Sequence, residues 1–367
     1  MPEPLISPPA ADGDTVGLRV RGREGFAVRG VGTAFPSGPR AVRRDTVDIL
    51  RRLADRPRSD EALAFTAAAL LAEHDVGERA WVHDVGGPQL PDEQTTLDLA
   101  VAAAGAAIAD AHGRAAQDVI IDVVMVVTST PHRLTSTVAA PLGHALGLRA
   151  ACIDVRGGCA ASMFALTQAA MLLDGGARGV LVVGADTFSR VLPIADPRLA
   201  LVMGDGAGAV VLTRGRGALL GACVCTDGEL GHLLQTRGPL PPTAEAVADG
   251  GYRLEGAWDE FAAAVKPRYA RAIEGALAVA GRSAADVDVY VPHQANAGLI
   301  RATAAAHGWK RALCRVQRHG NVGAGSALIA LAEGLADGDV MDGDTVLLAG
   351  VGGGMTWGGV LLSLRRC

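Results

Sequence analysis

The chain has 367 residues, 49% of them hydrophobic, and a formal net charge of -5. That length allows two or three domains around a large core, and the mild acidity gives no global basic field pointing to nucleic acid. No apolar run approaches the roughly 18 residues of a membrane span, and Met1-Pro2-Glu3-Pro4 lacks a signal peptide's basic and apolar regions, so the expectation is a cytoplasmic protein with neither a membrane nor a nucleic-acid partner.

Residues 1–24, rich in Pro, Gly and charge, read as an N-terminal tail before a first strand near Phe26–Thr33. Residues 45–74 carry helical periodicity, and Thr95–Ala111 is an Ala-rich helix candidate. Short branched runs at Val119–Val127, Val180–Val183, Ala207–Leu212, Val287–Val291, Val346–Ala349 and Val360–Leu364 read as buried strands. Helix-length segments lie between them at Ala160–Leu173, Phe261–Ala280, Ala297–Ala306 and Gly325–Ala336. This alternation predicts an α/β protein with largely parallel sheets and helices on their faces. Gly215–Tyr252 reads as a loop-bearing connection. Gly184–Asp186 and Gly204–Gly208 lack the ending of a P-loop and the spacing of a dinucleotide fingerprint, and read as tight structural turns.

The second half of the chain echoes the first. Val119 to Val127 followed by Pro131-His132 matches Val287 to Val291 followed by Pro292-His293, and Ala145-Leu146-Gly147 matches Ala306-His307-Gly308. Cys152-Ile-Asp-Val-Arg-Gly-Gly-Cys159 then matches Cys314-Arg-Val-Gln-Arg-His-Gly-Asn321, so a thiol and an amide occupy equivalent places. The order is that of a duplicated α/β unit, with halves at 25–215 and 216–367.

Six cysteines are too few for a disulfide scaffold, and Cys223-x-Cys225 lacks zinc-type spacing. The histidines form no helical metal pair, so no metal is expected. Cys159 differs from the other cysteines by position. At the start of the helix beginning at Ala160 it would face unpaired amides and the positive end of the dipole, both favouring thiolate; the alternative is a small core residue at a tight turn. His293 follows a strand where parallel sheets place ligands, or caps a helix. Asn321 opens the next helix as a polar donor or as an N-cap. The duplication brings these three toward one sheet edge, a nucleophile with two polar donors.

At these positions the chain resembles the ketoacyl-ACP synthase III branch of the thiolase-fold condensing enzymes. The residues carrying the resemblance are Thr128-Ser129-Thr130-Pro131, Asp154 to Ala160, Gly184 to Asp186, Gly204 to Ala209, His293-Gln294-Ala295-Asn296, Gly320-Asn321 and Gly352 to Gly358. They occur in the family's order and span roughly Phe26 to Leu364. The resemblance implies a thiolase-like fold, two duplicated α/β halves in a layered α-β-α-β-α sandwich with mixed, mostly parallel sheets. It implies that Cys159 carries the acyl group and that His293 and Asn321 stabilise the enolate formed when a malonyl thioester loses carbon dioxide. The backbone amides of Cys159 and Gly353 would form the oxyanion hole. The substrates would be acyl and malonyl thioesters of coenzyme A or acyl carrier protein, with no permanently bound cofactor, and the protein a homodimer.

Several residues depart from the family's pattern. Gly298, Ala305 and Ala306 stand where relatives often carry a basic docking patch for carrier protein, with Arg301, Lys310 and Arg311 as nearby substitutes. The tryptophan and arginine clamp for coenzyme A is not recognisable around His74 to Trp81. Leu134 replaces a phenylalanine that gates the partner subunit's acyl pocket. No second cysteine lies near Val351 to Gly354, which disfavours thiolysis. The expected activity is a decarboxylative Claisen condensation in polyketide, fatty-acid or other specialised biosynthesis; the alternative passes the acyl group from Cys159 to an alcohol or amine.

Overall fold

A computed structural model describes residues 17–53, 68, 75–114, 118–193 and 197–366. Its strands are β1 (Gly17–Ala34), β2 (Val42–Asp45), β3 (Glu78–Trp81), β4 (Val123–Val127), β5 (Ala151–Val155), β6 (Gly179–Thr187), β7 (Asp205–Thr226), β8 (Leu234–Gln235), β9 (Glu255–Gly256), β10 (Val289–Pro292), β11 (Thr345–Gly352) and β12 (Thr356–Ser363). Leaving single-turn helices unlabelled, the helices are α1 (Thr46–Leu53), α2 (Thr96–Arg114), α3 (Ala139–Ala145), α4 (Ala161–Asp174), α5 (Trp258–Ala280), α6 (Ala297–His307) and α7 (Ser326–Asp337).

The main sheet runs β10-β11-β12-β7-β6-β4-β5, with β1 also paired to β7. Its parallel pairings join the strands that carry the expected site, β5 to β4, β4 to β6 and β10 to β11. Antiparallel pairing takes over where the chain doubles back through β6, β7, β11, β12 and β1. The duplication is visible in this order: β4 and β6 correspond to β10 and β11. The counterpart of β5 is reduced to one parallel bridge, between Tyr290 and Ala312.

Alternation along the strands builds five layers. In β6, Val180 and Val182 face a central core shared with α4 and α7, whereas Leu181 and Val183 face α2. In β11, Val346 and Leu348 face that same central core, whereas Leu347 and Ala349 face α5. The layers are therefore α2, one half of the sheet, α4 with α7, the other half, and α5.

Three sequence expectations need correction. Residues 17–24 are not tail: they pair with β7 from Cys225 back to Ala218, with Val20 buried between arginines whose charge obscured the strand pattern. Residues 1–16 lie outside the described residues. Gly215–Tyr252 begins not as a loop but as the second half of β7. Phe26 pairs with Gly217 while Ala27 pairs with Thr213, so the glycines there mark a bend that carries β7 from one half of the sheet to the other. The 215/216 division drawn from sequence falls at this bend. Finally, Gly184–Asp186 and Gly206–Gly208 lie within β6 and β7. A Cβ on Gly184 would come within 2.5 Å of Ala324 O, so glycine serves close packing there rather than turning.

The predicted helix over 45–74 is present as α1 at Thr46–Leu53, and most of its remainder lies outside the described residues. Among the described residues no helix is long and apolar enough to cross a membrane.

Candidate active site

β5 delivers the chain through Arg156 and Gly157 into a 3-10 turn over Gly158–Ala160, and α4 follows. Gly158 takes a left-handed φ of 61°, which turns Cys159 toward the end of β11. A Cβ on Gly352 would lie 2.3 Å from Cys159 N, so only glycine lets that strand end press against the Cys159 turn. The Gly353 backbone is equally close, since a Cβ on Gly158 would fall 2.6 Å from Gly353 O and 2.9 Å from Gly353 N.

The same strand brings in His293. Its N–H donates to Ala349 O at 2.8 Å, and Tyr269 Oη donates to its carbonyl at 3.3 Å. A Cβ on Gly350 would lie 3.4 Å from His293 Cβ and 3.5 Å from Ala160 Cα, which puts the imidazole stem and the Cys159 turn on either side of one glycine. His293 is 3% exposed and its Nδ1 has no partner among the described residues. Burial lowers its pKa to about 4, so the ring is neutral at neutral pH.

Asn321 follows Gly320, another left-handed residue at φ 66°. Its N–H donates to Val202 O at 2.8 Å and its carbonyl accepts from Gly204 N at 2.9 Å. Its side-chain Oδ1 accepts from Gly323 N at 2.9 Å, which turns the amide so that Nδ2 is the outward donor.

Asp186, at the end of β6, links these turns. Its Oδ1 accepts from Thr128 Oγ1, Ser129 N, Thr130 N and Thr130 Oγ1 at 2.7 to 3.1 Å, and its Oδ2 accepts from Ala324 N at 2.9 Å. Sequence reasoning had passed over this residue as part of a turn; a lone carboxylate ending an apolar strand was the available signal. Burial raises its pKa despite these five donors.

The thiol itself departs from expectation. Cys159 keeps part of its surface open, but burial around the sulfur pushes its pKa up to about 12, with the charge of Asp186 adding to the rise. Backbone hydrogen bonding acts in the opposite direction and is the smaller effect. The resting residue is a neutral thiol, and its reaction requires a proton acceptor.

Comparison with known proteins fits this geometry. Residues 153–228 match the family of 3-oxoacyl-(acyl-carrier-protein) synthase III, and residues 277–364 match its C-terminal domain. The β-ketoacyl-(acyl-carrier-protein) synthase III of Dinoroseobacter shibae is 41% identical over 283 residues, 74% of this chain and 85% of that protein. The chain belongs to the synthase III family. The Rhodobacter capsulatus synthase III is 39% identical over 73% of this chain and 84% of its own length. The crystal structure of synthase III from Pseudomonas aeruginosa superposes with a TM-score of 0.77 at 28% identity, covering 93% of this chain and 99% of that one. The priming β-ketosynthase of the R1128 polyketide pathway gives 0.77 at 26% identity, covering 96% and 100%. The thiolase-like fold expected from sequence is thereby shown.

Leu134, singled out as an acyl-pocket gate, is 62% exposed; Ile153 on the edge strand β5 is exposed as well. Arg301 pairs with Asp75 at 2.7 Å, and Arg311 makes a two-pronged pair with Asp344 at 2.8 and 2.9 Å. Two of the three substitute cations are thus already partnered within the chain. In the clamp region, Arg79 and Trp81 are buried and point inward, and His74 lies outside the described residues. Among the described residues no group of three or more His, Cys, Asp or Glu is placed to hold a metal ion.

Proposed function

We propose that this synthase III relative is a condensing enzyme that forms acyl-Cys159 and joins it to a malonyl-type thioester by decarboxylative Claisen condensation, priming a fatty-acid or polyketide chain. The observation that carries this reading is the meeting of the Cys159 turn and His293 across Gly350 and Gly352, with the Asn321 amide turned so that Nδ2 faces outward.

In the first step Cys159 attacks the acyl thioester carbonyl. The neutral imidazole of His293 accepts the thiol proton, and the departing thiolate of coenzyme A or carrier protein takes it back as the tetrahedral intermediate collapses. Backbone amides of Cys159 and Gly353 hold the intermediate's oxyanion. In the second step a malonyl thioester loses carbon dioxide, and the enolate oxygen accepts hydrogen bonds from His293 and Asn321 Nδ2. Each such donor contributes about 3 to 4 kcal/mol. The enolate carbon attacks acyl-Cys159 and expels the Cys159 thiolate, which takes up a proton from solvent, and a 3-oxoacyl thioester leaves. Acyl carrier protein is the proposed partner because it names the relatives' substrate. Exposed Leu134 and the place of β5 at the end of the sheet support a homodimer.

Intact mass after incubation with a panel of acyl thioesters reads the first step, and carbon dioxide release on adding malonyl thioester reads the second. Adduct formation at Cys159 followed by release is expected. An acyl-enzyme that never triggers release, with every acyl group that loads, refutes the condensation and leaves transfer to an alcohol or amine acceptor.

A further inference from the structure

The segment that Asn321 pairs with presents three successive carbonyls, and each has a different donor. Leu201 O accepts from the Arg79 guanidinium, Val202 O from Asn321 N at 2.8 Å, and Met203 O from Trp81 Nε1 at 3.0 Å. Gly204 N then donates to Asn321 O at 2.9 Å, closing a bridge between Met203 and Asn321. One residue further, Val82 N donates to Asp205 Oδ2 at 2.8 Å. The carbonyl used by Asn321 is therefore flanked on both sides by carbonyls that β3 holds.

Arg79 is an unusual residue to find in this place. It is fully buried, and among the described residues its guanidinium meets carbonyls and the hydroxyl of Thr46 rather than a carboxylate. Burying a cation this way costs stability, and a neutral side chain of similar volume avoids that cost. What an apolar side chain of that size lacks is the donor to Leu201 O.

We propose that Arg79 and Trp81 are positioning residues that fix Asn321 for the decarboxylation step, by holding the Leu201 to Gly204 backbone to which Asn321 is tied. The proposal rests on the reading that Asn321 donates to the thioester oxygen. Cys159 and His293 are held by other elements, by β5 and α4 and by β10 and β11, and neither bonds to this segment. Loosening the segment moves one donor and leaves the nucleophile and the imidazole where they are. A misplacement of about 1 Å is enough to cost on the order of 100-fold in rate.

The test separates the half-reactions in Arg79→Met, Arg79→Lys, Trp81→Phe and Asn321→Ala, using acetyl- to octanoyl-coenzyme A as donors and malonyl-coenzyme A as acceptor. Acyl-Cys159 formation, read by intact mass, is expected to stay within about twofold, and carbon dioxide release to fall about 10- to 100-fold in Arg79→Met. Arg79→Lys should recover part of that loss. Trp81→Phe should show the same split more weakly, and it decides the matter if Arg79→Met fails to fold. Equal loss in both half-reactions means a merely structural role and overturns the proposal. If Asn321→Ala loses release while Arg79→Met and Trp81→Phe keep it, the proposal falls and the Asn321 reading stands. If Asn321→Ala keeps release, both fall.

Discussion

The buried imidazole of His293 makes a prediction about stability as well as rate. Its pKa is about 4 in the folded protein against an ordinary 6.5, because burial penalises the charged ring. The unfolded chain therefore takes up a proton between pH 6.5 and 4 that the folded chain refuses, and stability falls as pH falls through that window. Above 6.5 both states are neutral and the contribution vanishes. Below 4 both are protonated and the loss levels off. The expected loss is about 2 kcal/mol by pH 5 and about 3 kcal/mol by pH 4. His293→Gln removes the titrating group, so urea unfolding of both proteins at pH 7, 6, 5 and 4 isolates it from every other carboxylate and histidine. Relative to the variant, the parent should lose about 3 kcal/mol between pH 7 and pH 4. Two stability curves that stay parallel over that range would show that the ring titrates normally, and the claim that burial depresses it would fall.

Other perturbations have equally definite outcomes. Gly352→Ala places a methyl 2.3 Å from Cys159 N; with the oxyanion amides displaced, turnover should drop about 100-fold or more, measured as acyl-enzyme formation, and unchanged acylation contradicts the packing described. Asp186→Asn removes the negative charge that adds to the rise of the Cys159 pKa, so the pH profile of alkylation by iodoacetamide should move to lower pH, and a shift upward contradicts the assignment. Leu134→Asp puts a charge at an exposed apolar position. Light scattering should then report a monomer with unchanged circular dichroism, whereas a retained dimer removes Leu134 from the interface.

Much of this fold was legible because the duplicated sequence carries the same strand, turn and helix signals twice. The elements that sequence reading lost are those whose signal was overlaid. Arg19, Arg21 and Arg23 disguise the first half of β1, and the bend glycines disguise the second half of β7. At the site, Cys159, His293 and Asn321 stood out by their places after strands. Asp186 did not, since its role appears only when Thr128, Thr130 and Ala324 converge on it from segments far apart in sequence. Arg79 and Trp81 drew no reading of their own beyond the absence of a recognisable coenzyme A clamp around them, because local sequence does not reveal that they face inward. The protonation of Cys159 was misjudged for the same reason: the helix start is readable, while the burial that outweighs it is a property of the packed site.

The turns that carry Cys159 and Asn321 run directly into α4 and just ahead of α7, and both helices lie in the middle layer with sheet on either side. Their N-termini form a floor that cannot be altered without disturbing the largest core of the molecule. Nearby segments are built differently: among the described residues, 188–193, 197–204 and 228–257 contain only short helical turns and the two-residue strands β8 and β9. Leu234 already approaches Gly353, with its carbonyl oxygen 3.1 Å from where a Cβ on that glycine would stand. New acyl preferences are therefore to be sought by exchanging the cover, over a chemistry that stays fixed beneath it.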